Sequence, residues 1–162
     1  MNKEVTIEKL KDDDVEEASR LIRDIILNTP YYTNESKTEM VKEYSAEKIN
    51  FRMNDGQFYH PYIIAKVDGV IAGFIDGYAD AGVFWGNWLG VHPDYRRQGI
   101  SAKLITALES DARKNGCHKY WCDTRTDNLE SIALQEKLGY QKIGTLKNYW
   151  FHMDFYIWDK DL

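Results

Sequence analysis

The sequence lacks the marks of several large classes of protein. No apolar run approaches the roughly 20 residues that a membrane span needs, and the first residues, MNKEVTIEKLKDDDVEE, contain no apolar core of a signal peptide. Basic residues are outnumbered, with 21 Lys and Arg against 26 Asp and Glu, which gives a net charge of -5. Nucleic-acid binding needs a basic surface that displaces counterions from phosphates. We therefore expect a cytoplasmic protein that binds neither a membrane nor a nucleic acid.

Cysteine is also scarce. The chain has 2 cysteines, Cys117 and Cys122, and neither a second pair of metal ligands nor a secretory context accompanies them. We interpret both as reduced structural thiols and expect no metal. Internal repeats and linkers are absent too, and 162 residues are enough to bury about two thirds of the unfolded surface around one core. Residues 1–162 are therefore expected to form a single domain.

Hydrophobic patterning predicts alternating blocks of strands and helices. Apolar residues alternate over 4–10, and the acidic segment DDDVEE that follows favours a helix start. Asp68 and Gly69 separate two apolar runs and predict a hairpin with a tight primed turn, and Gly116 is placed to end a helix in the left-handed conformation. The predicted elements are strands at 4–10, 61–67, 70–78, 83–91, 118–124, 139–146 and 150–158, and helices at 12–27, 35–54, 99–115 and 129–138. This order predicts an α/β fold in which a mixed central sheet carries helices on both faces.

The loop HPDYRRQGIS, residues 92–101, joins the strand at 83–91 to the following helix. A helix start after a short glycine-bearing turn leaves several amide hydrogens without carbonyl partners, and they point the same way. Arg96 and Arg97 add positive charge, and Gly99 lacks the Cβ that would keep a phosphate from the backbone. The phosphate loops GxxxxGK(S/T) and GxGxxG are both absent. From its residues alone the loop is either an anion site or an ordinary charged turn.

Two segments resemble the GNAT superfamily of acyl-CoA-dependent N-acetyltransferases. VHPDYRRQGIS, residues 91–101, is similar to the family motif V-x-P-x-(Y/W)-(R/Q)-(R/G)-x-G-(I/L)-(G/A), with Ser101 where the family prefers glycine or alanine. DTRTDNLESIALQEKLGY, residues 123–140, is similar to (E/D)-x-R-x-x-N-x-x-(A/S)-x-x-(L/F)-Y-x-x-x-G-(F/Y), with Gln135 in place of the tyrosine. The two blocks stand in the family's order, with a predicted helix and strand between them. The resemblance implies a GNAT-like α/β domain in which strands 4 and 5 of the sheet splay apart.

The resemblance also implies acetyl-CoA as the acyl donor. The amides from Arg97 to Ala102 would hold the pyrophosphate, and the backbones of Leu89 and Val91 would pair with the pantetheine arm. An N–H near Val91 would polarise the thioester carbonyl. Asn128 would bond the pantetheine arm, and a role as the N-cap of the short helix is compatible with this. The implied cofactor-binding residues are Leu89, Val91, Arg96, Arg97, Gln98, Gly99, Ile100, Ser101, Ala102, Asn128 and Ser131.

Acetyl transfer to an amine requires a base, because an alkylamine near neutral pH is mostly protonated. The resemblance places Asp123 where some family members have a base glutamate, so Asp123 is the first candidate. Asp76 and Asp80 are further candidates near the end of an earlier strand. His152 would share a face with Asp154 if the segment NYWFHMDFYIW is a strand. A structural role stays open for each of these residues.

The acid for the leaving thiolate is not assigned. Many relatives use the tyrosine of the second block, and here that position is Gln135. An amide cannot give up a proton at ordinary pH. Tyr140, Tyr149 or a water could take the role, or no acid is needed because a thiolate is a tolerable leaving group.

The acceptor pocket of the family is lined by the first two helices and the late hairpin. These regions are rich in aromatic residues here, and aromatic faces attract cationic amines. We expect Tyr31, Tyr32, Trp85 and Trp150 to contact the acceptor, whereas Trp121, Phe155 and Ile157 are expected in the core. The expected reaction is acetyl transfer to a primary amine of a small molecule, polyamine-like or aminoalkyl. Alternatives are transfer to a protein or peptide amine, or a CoA-binding module without turnover, and a homodimer stays open because dimers are common in the family.

Overall fold

A sheet of seven strands runs through the computed structural model, which describes residues 4–162. The strands are β1 (Val5–Lys9), β2 (Tyr62–Val67), β3 (Val70–Asp80), β4 (Val83–Val91), β5 (Lys119–Arg125), β6 (Gln141–Leu146) and β7 (Phe155–Asp161). They lie in the order β1-β2-β3-β4-β5-β7-β6. β4 and β5 run parallel, and the other neighbouring strands are antiparallel. The predicted mixed sheet is confirmed. The first three residues of the predicted domain lie outside the described residues.

Helices pack on both faces of this sheet, as the sequence predicts. The helices are α1 (Val15–Asn28), α2 (Asn34–Glu43), α3 (Ala46–Asn54), α4 (Ile100–Lys114) and α5 (Leu129–Lys137). On one face, Ile22 of α1 and Ile49 of α3 are buried with Phe74 of β3. On the other face, Leu104 and Leu108 of α4 belong to a second buried cluster. No helix in residues 4–162 is long and apolar enough to cross a membrane.

The predicted helix over 35–54 is wrong, because two helices occupy this segment. Ser45 has an extended backbone (φ -65°, ψ 151°), and its side chain accepts a hydrogen bond from the amide of Lys48. This is the N-cap arrangement that serine favours. The polar pattern on either side of Ser45 fits one continuous helix equally well, which explains the error. The break lets α2 and α3 pack separately against α1.

The last predicted strand is also wrong at its start. β7 begins at Phe155, and residues 150–152 form a short 3-10 turn. Phe151 and His152 have positive φ angles of 48° and 61°, which no strand contains. The amide of Asn148 donates to Asp154 Oδ1 (2.8 Å), and this bond closes the loop between β6 and β7. His152 and Asp154 therefore do not share the face of a strand.

Two predicted turns are confirmed. Asp68 and Gly69 have φ angles of 50° and 84°, and this pair of positive values is that of a primed turn between β2 and β3. Gly116, which follows the C-cap residue Asn115 of α4, has a φ angle of 84°. Its left-handed conformation ends that helix as predicted.

Two irregularities in pairing shape β4. Its parallel ladder with β5 runs from Val83–Lys119 to Gly86–Cys122 and stops there, although both strands continue. On its other side β4 pairs with β3 at Gly77–Gly86 and again at Ile75–Leu89. Between these two pairs β3 advances by two residues and β4 by three, so β4 contains a bulge opposite Asp76. The bulge and the end of the ladder open a gap between the second halves of β4 and β5, which confirms the predicted splay.

Candidate functional site

Free backbone groups of β4 face the gap between β4 and β5. In an antiparallel pair, residues alternate between pairs joined by hydrogen bonds and pairs whose N–H and C=O groups point outwards. The amide of His92 donates to Ala72 O (2.8 Å), one step beyond the pair Gly73–Val91. The pairs Gly73–Val91 and Ile75–Leu89 are therefore not joined by hydrogen bonds, and their N–H and C=O groups point away from the partner strand. The N–H groups of Leu89 and Val91 point away from β3 and into the gap.

The loop after β4 is fastened back onto the strand that it leaves. Residues 93–95 form a 3-10 turn, and the Nδ1 atom of His92 accepts a hydrogen bond from the amide of Asp94 (3.3 Å). Arg96 Nε donates to the carbonyl of Val91 at 3.0 Å. Arg97 and Gly99 follow with positive φ angles of 62° and 75°. Arg96 thus holds the loop in place, a role that its sequence position did not indicate.

The amides of residues 97–102 form an open cradle at the start of α4. The first bond of this helix runs from the amide of Lys103 to Gly99 O (3.2 Å), and none of the amides at 97–102 donates to a residue within 4–162. A Cβ placed on Gly99 would have no protein atom within 4 Å. The first turn of α4 carries no acidic residue. The cradle therefore fits a phosphate group, which the positive end of the helix dipole also favours.

The side chains of this cradle contribute less than its backbone. Ile100 is buried in the core with 2% exposure, so only its amide faces the cradle. Arg97 Nη1 lies 3.9 Å from Glu130 Oε1, and both side chains are more than 80% exposed (87% and 82%). An ion pair that is this exposed contributes little to stability. The guanidinium of Arg97 is free to turn toward a bound phosphate.

The second sequence block supplies the start of α5. Asn128 Oδ1 accepts a hydrogen bond from the amide of Ser131 (3.1 Å), which makes Asn128 the N-cap of this helix. The N-cap role considered for Asn128 is thereby observed, and its side-chain NH₂ remains for a ligand. Gln135, near the end of α5, is 6% exposed, and its Oε1 atom has no hydrogen-bond partner among the described residues.

Asp123 lies one residue beyond the last pair of the β4–β5 ladder. It alternates on β5 with the buried residues Cys122 and Thr124, so its side chain lies on the opposite face of the sheet from α4. No hydrogen bond or ion pair joins it to another residue of the described chain. Burial raises the pKa of its carboxyl group to about 6. An unpaired carboxylate with this pKa is mostly ionised at neutral pH and can accept a proton.

Asp76, the second candidate base, is fully buried, and both of its carboxylate oxygens have hydrogen-bond partners within the protein. Its Oδ1 atom accepts from Tyr44 OH (2.9 Å) and from the amide of Trp88 (3.3 Å). Its Oδ2 atom lies 3.0 Å from His60 Nε2 and 3.1 Å from Asn87 Nδ2. These contacts fix the bulge of β4 against β3 and α2. Asp76 therefore holds the shape of the gap and has no free oxygen for a substrate proton.

The remaining candidate bases are both exposed at the surface. Asp80 is exposed and pairs with Val83, at the opposite end of β4 from the cradle. His152 is exposed in the β6–β7 loop, where its Nδ1 atom contacts Asn148 Oδ1 at 2.9 Å. Since residues 150–152 are not part of a strand, His152 does not share a strand face with Asp154, and Asp123 is the candidate that the geometry supports.

The two candidate acids differ in exposure: Tyr140 is buried and Tyr149 is exposed. Tyr140 OH donates to Glu109 Oε1 (2.7 Å) in the core beside α4, and burial holds the pKa of Tyr140 far above its ordinary value. It cannot give up a proton to a thiolate. Tyr149 is 54% exposed in the β6–β7 loop and packs edge-on against Phe155.

Three of the four predicted acceptor residues come together on the face of the sheet that carries α1. Tyr32 receives a hydrogen bond from Trp88 Nε1 (3.3 Å) and meets Trp150 edge-on at 5.7 Å between ring centroids. Tyr31 lies beside Tyr32, and the guanidinium of Arg125 is within 6 Å of both rings (5.6 Å and 5.7 Å). Trp88 and Arg125 also belong to this cluster, and neither of them was selected for the site from the sequence. Their signals were the position of Trp88 in the splayed half of β4 and the arginine of the second block.

Trp85, the fourth predicted acceptor residue, lies elsewhere. It belongs to the paired part of β4, directly opposite Trp121 of β5, and the two rings meet edge-on at 4.9 Å. Trp121, expected in the core, is partly exposed, and its Nε1 atom is buried without a hydrogen-bond partner in the described chain. Phe155 is buried as expected, while Ile157 is partly exposed.

Comparison with known proteins places this geometry in a family. The model of the acetyltransferase (GNAT) family matches residues 24–140, well over half of the chain. The chain belongs to the GNAT family. This confirms the resemblance that the two sequence blocks carry. Among individual relatives, this GNAT chain is 38% identical over 85 residues to an acetyltransferase of Yersinia pestis, a match that spans 52% of this chain and 60% of that protein.

Solved structures of two N-acetyltransferases share the whole fold. PaiA N-acetyltransferase of Thermoplasma acidophilum, solved in complex with coenzyme A, has a TM-score of 0.79 at 19% identity, with 98% of this chain and 99% of that chain covered. The ribosomal-protein-S18-alanine N-acetyltransferase of Escherichia coli has a TM-score of 0.72 at 21% identity, with coverage of 98% and 94%. Both likenesses confirm the predicted GNAT fold.

Proposed function

We propose that this chain is an acetyl-CoA-dependent N-acetyltransferase that moves an acetyl group to the primary amine of a small molecule. The observation that carries the proposal is a set of free backbone donors on β4 and at the start of α4. The set comprises the N–H groups of Leu89 and Val91 in the gap and the amides of residues 97–102. The unpaired carboxylate of Asp123 lies on the other side of the same gap. An acyl carrier with an extended arm and a pyrophosphate could bind these donors, the arm along β4 and the pyrophosphate at the start of α4.

Coenzyme A fits the residues that are present. The amides of Arg97 to Ala102 would hold its pyrophosphate, since the position of the missing Cβ of Gly99 is open. The outward N–H and C=O groups of Leu89 would pair with the amides of the pantetheine arm. Asn128 keeps its NH₂ group for the same arm while it caps α5. When bound, acetyl-CoA supplies an activated acetyl thioester.

The chain's own groups would then favour transfer. The N–H of Val91 would polarise the thioester carbonyl, because it is fixed by the β3–β4 ladder and needs no rearrangement. Asp123 would accept the proton that the amine loses as its nitrogen bonds to the acetyl carbon. The carbon–sulfur bond breaks, and the electron pair leaves with sulfur. Tyr140 is committed to Glu109, and the sulfur would leave as a thiolate without a protein acid, which a thiol pKa of about 8.5 permits.

Thiol release from acetyl-CoA, measured with a panel of small amines and amine-bearing peptides, tests the proposal. We expect at least one small amine to accelerate release in a saturable way and to yield its N-acetyl derivative. Calorimetry with coenzyme A alone provides the control for a folded, cofactor-competent protein. If coenzyme A binds and no acceptor accelerates release, the chain is a CoA-binding module without turnover. If peptides alone accelerate it, the acceptor is a protein amine.

A further inference from the structure

Arg125 places a positive charge of the protein inside the aromatic cluster that was expected to attract an amine. Its guanidinium carbon lies 5.6 Å from the ring centroid of Tyr31 and 5.7 Å from that of Tyr32. Both distances are within the range of a cation–π contact. The side chain is only 12% exposed. Arg125 therefore already occupies the position over these rings that an amine was expected to take.

The guanidinium keeps donors for a ligand. Its Nε and Nη2 atoms donate to the two carboxylate oxygens of Asp127, and Nη1 donates to the sulfur of Met153 (3.2 Å). An arginine has five N–H groups, so one on Nη1 and one on Nη2 have no acceptor among the described residues. Asp127 is 59% exposed, and solvent screens its pairing. Arg125 thus retains both charge and directional donors for an anionic group.

Arg125 and Asp123 form a pair of opposite charges at the gap. They are two residues apart on β5, and their side chains lie on the same face of the sheet. Two residues of strand span roughly 6.5 Å. Asp123 has no partner of its own and lies nearer the end of the β4–β5 ladder. A ligand that complements this pair carries an amine toward Asp123 and a carboxylate toward Arg125.

We propose that the acceptor is a small amine that also bears a carboxylate, as an amino acid does, and that Arg125 binds this carboxylate. The inference rests on the proposed acetyltransferase function and narrows its substrate class. It replaces the polyamine expected from the aromatic residues alone, because the second ammonium of a polyamine would face Arg125. Asp123 keeps its role toward the amine.

Amino acids compared with their carboxamides, at equal chain length, provide the test, together with a linear polyamine. An amino acid and its carboxamide differ in the negative charge that Arg125 would bind. We expect kcat/KM to be about 10-fold or more higher for the carboxylate than for the carboxamide, and higher still relative to the polyamine. Equal values for the pair, or a preference for the polyamine, would overturn the inference while leaving acetyl transfer established. Failure of every amine, with coenzyme A still bound, would remove the proposed function and the inference with it.

Variants of Arg125 separate binding from a merely structural role. Arg125→Gln should raise KM for the amino acid about 10-fold and leave KM for the carboxamide nearly unchanged, so that the preference disappears. Arg125→Lys, which keeps the charge, should restore part of the preference. An equal loss for both members of the pair in Arg125→Gln would assign Arg125 to the structure of the pocket and overturn the inference. If Arg125→Gln does not fold, binding of the amino acid and of its carboxamide to the unaltered protein with coenzyme A decides by calorimetry.

Discussion

Asp123 and Tyr140 both carry an ionisable group whose pKa is raised by burial, and they are nevertheless suited to different roles. Asp123 is unpaired at the edge of the gap, with a pKa of about 6. Tyr140 is bonded to Glu109, which also binds Lys160 Nζ (2.9 Å). The first group can exchange a proton with a ligand at neutral pH. The second is a member of a core network that a proton transfer would break.

Asp123→Asn tests the assignment of the base. Because the carboxyl group with a pKa of about 6 must be ionised to accept a proton, kcat/KM of the unaltered protein should rise with pH through that value. The variant should lose this rise and about 100-fold in rate at neutral pH. The measurement is a pH–rate profile from pH 5 to 9. Asp80→Asn is the matched control, since Asp80 is an exposed carboxylate outside the gap. A rise near pH 6 that persists in Asp123→Asn would assign the base elsewhere.

Asp123→Asn, which is expected to lower the rate, is not expected to lower stability. The pKa of Asp123 is raised from 3.8 to about 6 on folding, so its contribution to stability is present below pH 3.8 and is lost as pH rises through about 6. Asp123→Asn lacks an ionisable group there and should be at least as stable as the unaltered protein at pH 7. Thermal unfolding at pH 4 and pH 7 checks this. A variant that is much less stable at pH 7 would show that Asp123 is structural.

Tyr140→Phe tests whether that tyrosine is needed as an acid. The buried hydroxyl donates to Glu109 Oε1 (2.7 Å). We expect kcat/KM within about twofold of the unaltered protein and a loss of about 1 kcal/mol in the free energy of unfolding. Thiol release and urea unfolding measure the two quantities. A loss of rate at unchanged stability would contradict the view that the thiolate leaves without this residue.

At the scale of elements, β4 has the greatest influence on the site. Its bulge opposite Asp76 and the end of its ladder at Gly86 create the gap. The loop that follows is fastened to its last residue by Arg96. One strand therefore positions both the N–H of Val91, the proposed oxyanion donor, and the cradle. Changes that loosen β4 should affect stability and cofactor binding together, whereas changes in the cradle should affect binding alone.

Asp76→Asn tests the fastening of the bulge. An amide can accept on one side only, so donors from His60 and Asn87 would lose their acceptor in a fully buried place. We expect a loss of about 2 kcal/mol in the free energy of unfolding. Asp80→Asn, at the exposed end of the same strand, should change stability by less than about 0.5 kcal/mol. Urea unfolding compares the two, and equal stabilities would mean that Asp76 does not hold the bulge.

Gly99→Ala tests the cradle, with Gly116→Ala as its matched control. Both glycines have positive φ angles (75° and 84°), and neither has a protein atom within 4 Å of an added Cβ. Each variant should therefore lose a similar amount of stability, about 1 kcal/mol, from backbone strain alone. The Cβ at residue 99 would occupy the space in front of the amides. We expect calorimetry to show weaker binding of coenzyme A for Gly99→Ala only, and equal affinities would contradict the cradle.

At the scale of the whole molecule, the sheet consists of two halves that are joined by a short ladder. β1 to β4 form one half, and β5, β7 and β6 form the other. The ladder from Val83–Lys119 to Gly86–Cys122 connects them. The helix α4 packs against β1 to β4, whereas α5 follows β5 in the chain. The proposed ligand in the gap would therefore contact both halves, where strand pairing between them is missing.

Hydrogen exchange shows where a ligand binds on this frame. The amides of residues 97–102 lack acceptors within the described chain, so they should exchange rapidly in the free protein. Coenzyme A should slow their exchange, together with that of residues 89 and 91. Amides of α3, on the other side of the core, should be unaffected. Slowing that misses residues 97–102 would place the ligand outside the cradle.

Much of the fold could be predicted from the sequence because its signals are local. Asp68-Gly69 and Gly116 adopt the positive φ angles that their side chains permit, and two blocks with fixed spacing identified the family. The errors arose where local signals were ambiguous. The polar run around Ser45 fits one helix or two, and the aromatic run before Phe155 has the composition of a strand although Phe151 and His152 are left-handed.

The sequence by itself determined the family, most of the order of strands and helices, and which loop and which carboxylate to propose for the site, because each of these signals depends on neighbours along the chain. The tertiary structure alone decided which charges meet. Asp76 became structural because donors from α2, β4 and the segment before β2 converge on it. Arg125 entered the aromatic cluster because the α1–α2 segment brings Tyr31 and Tyr32 over the end of β5. Coulombic and ring contacts act through space, and no spacing within one segment encodes them.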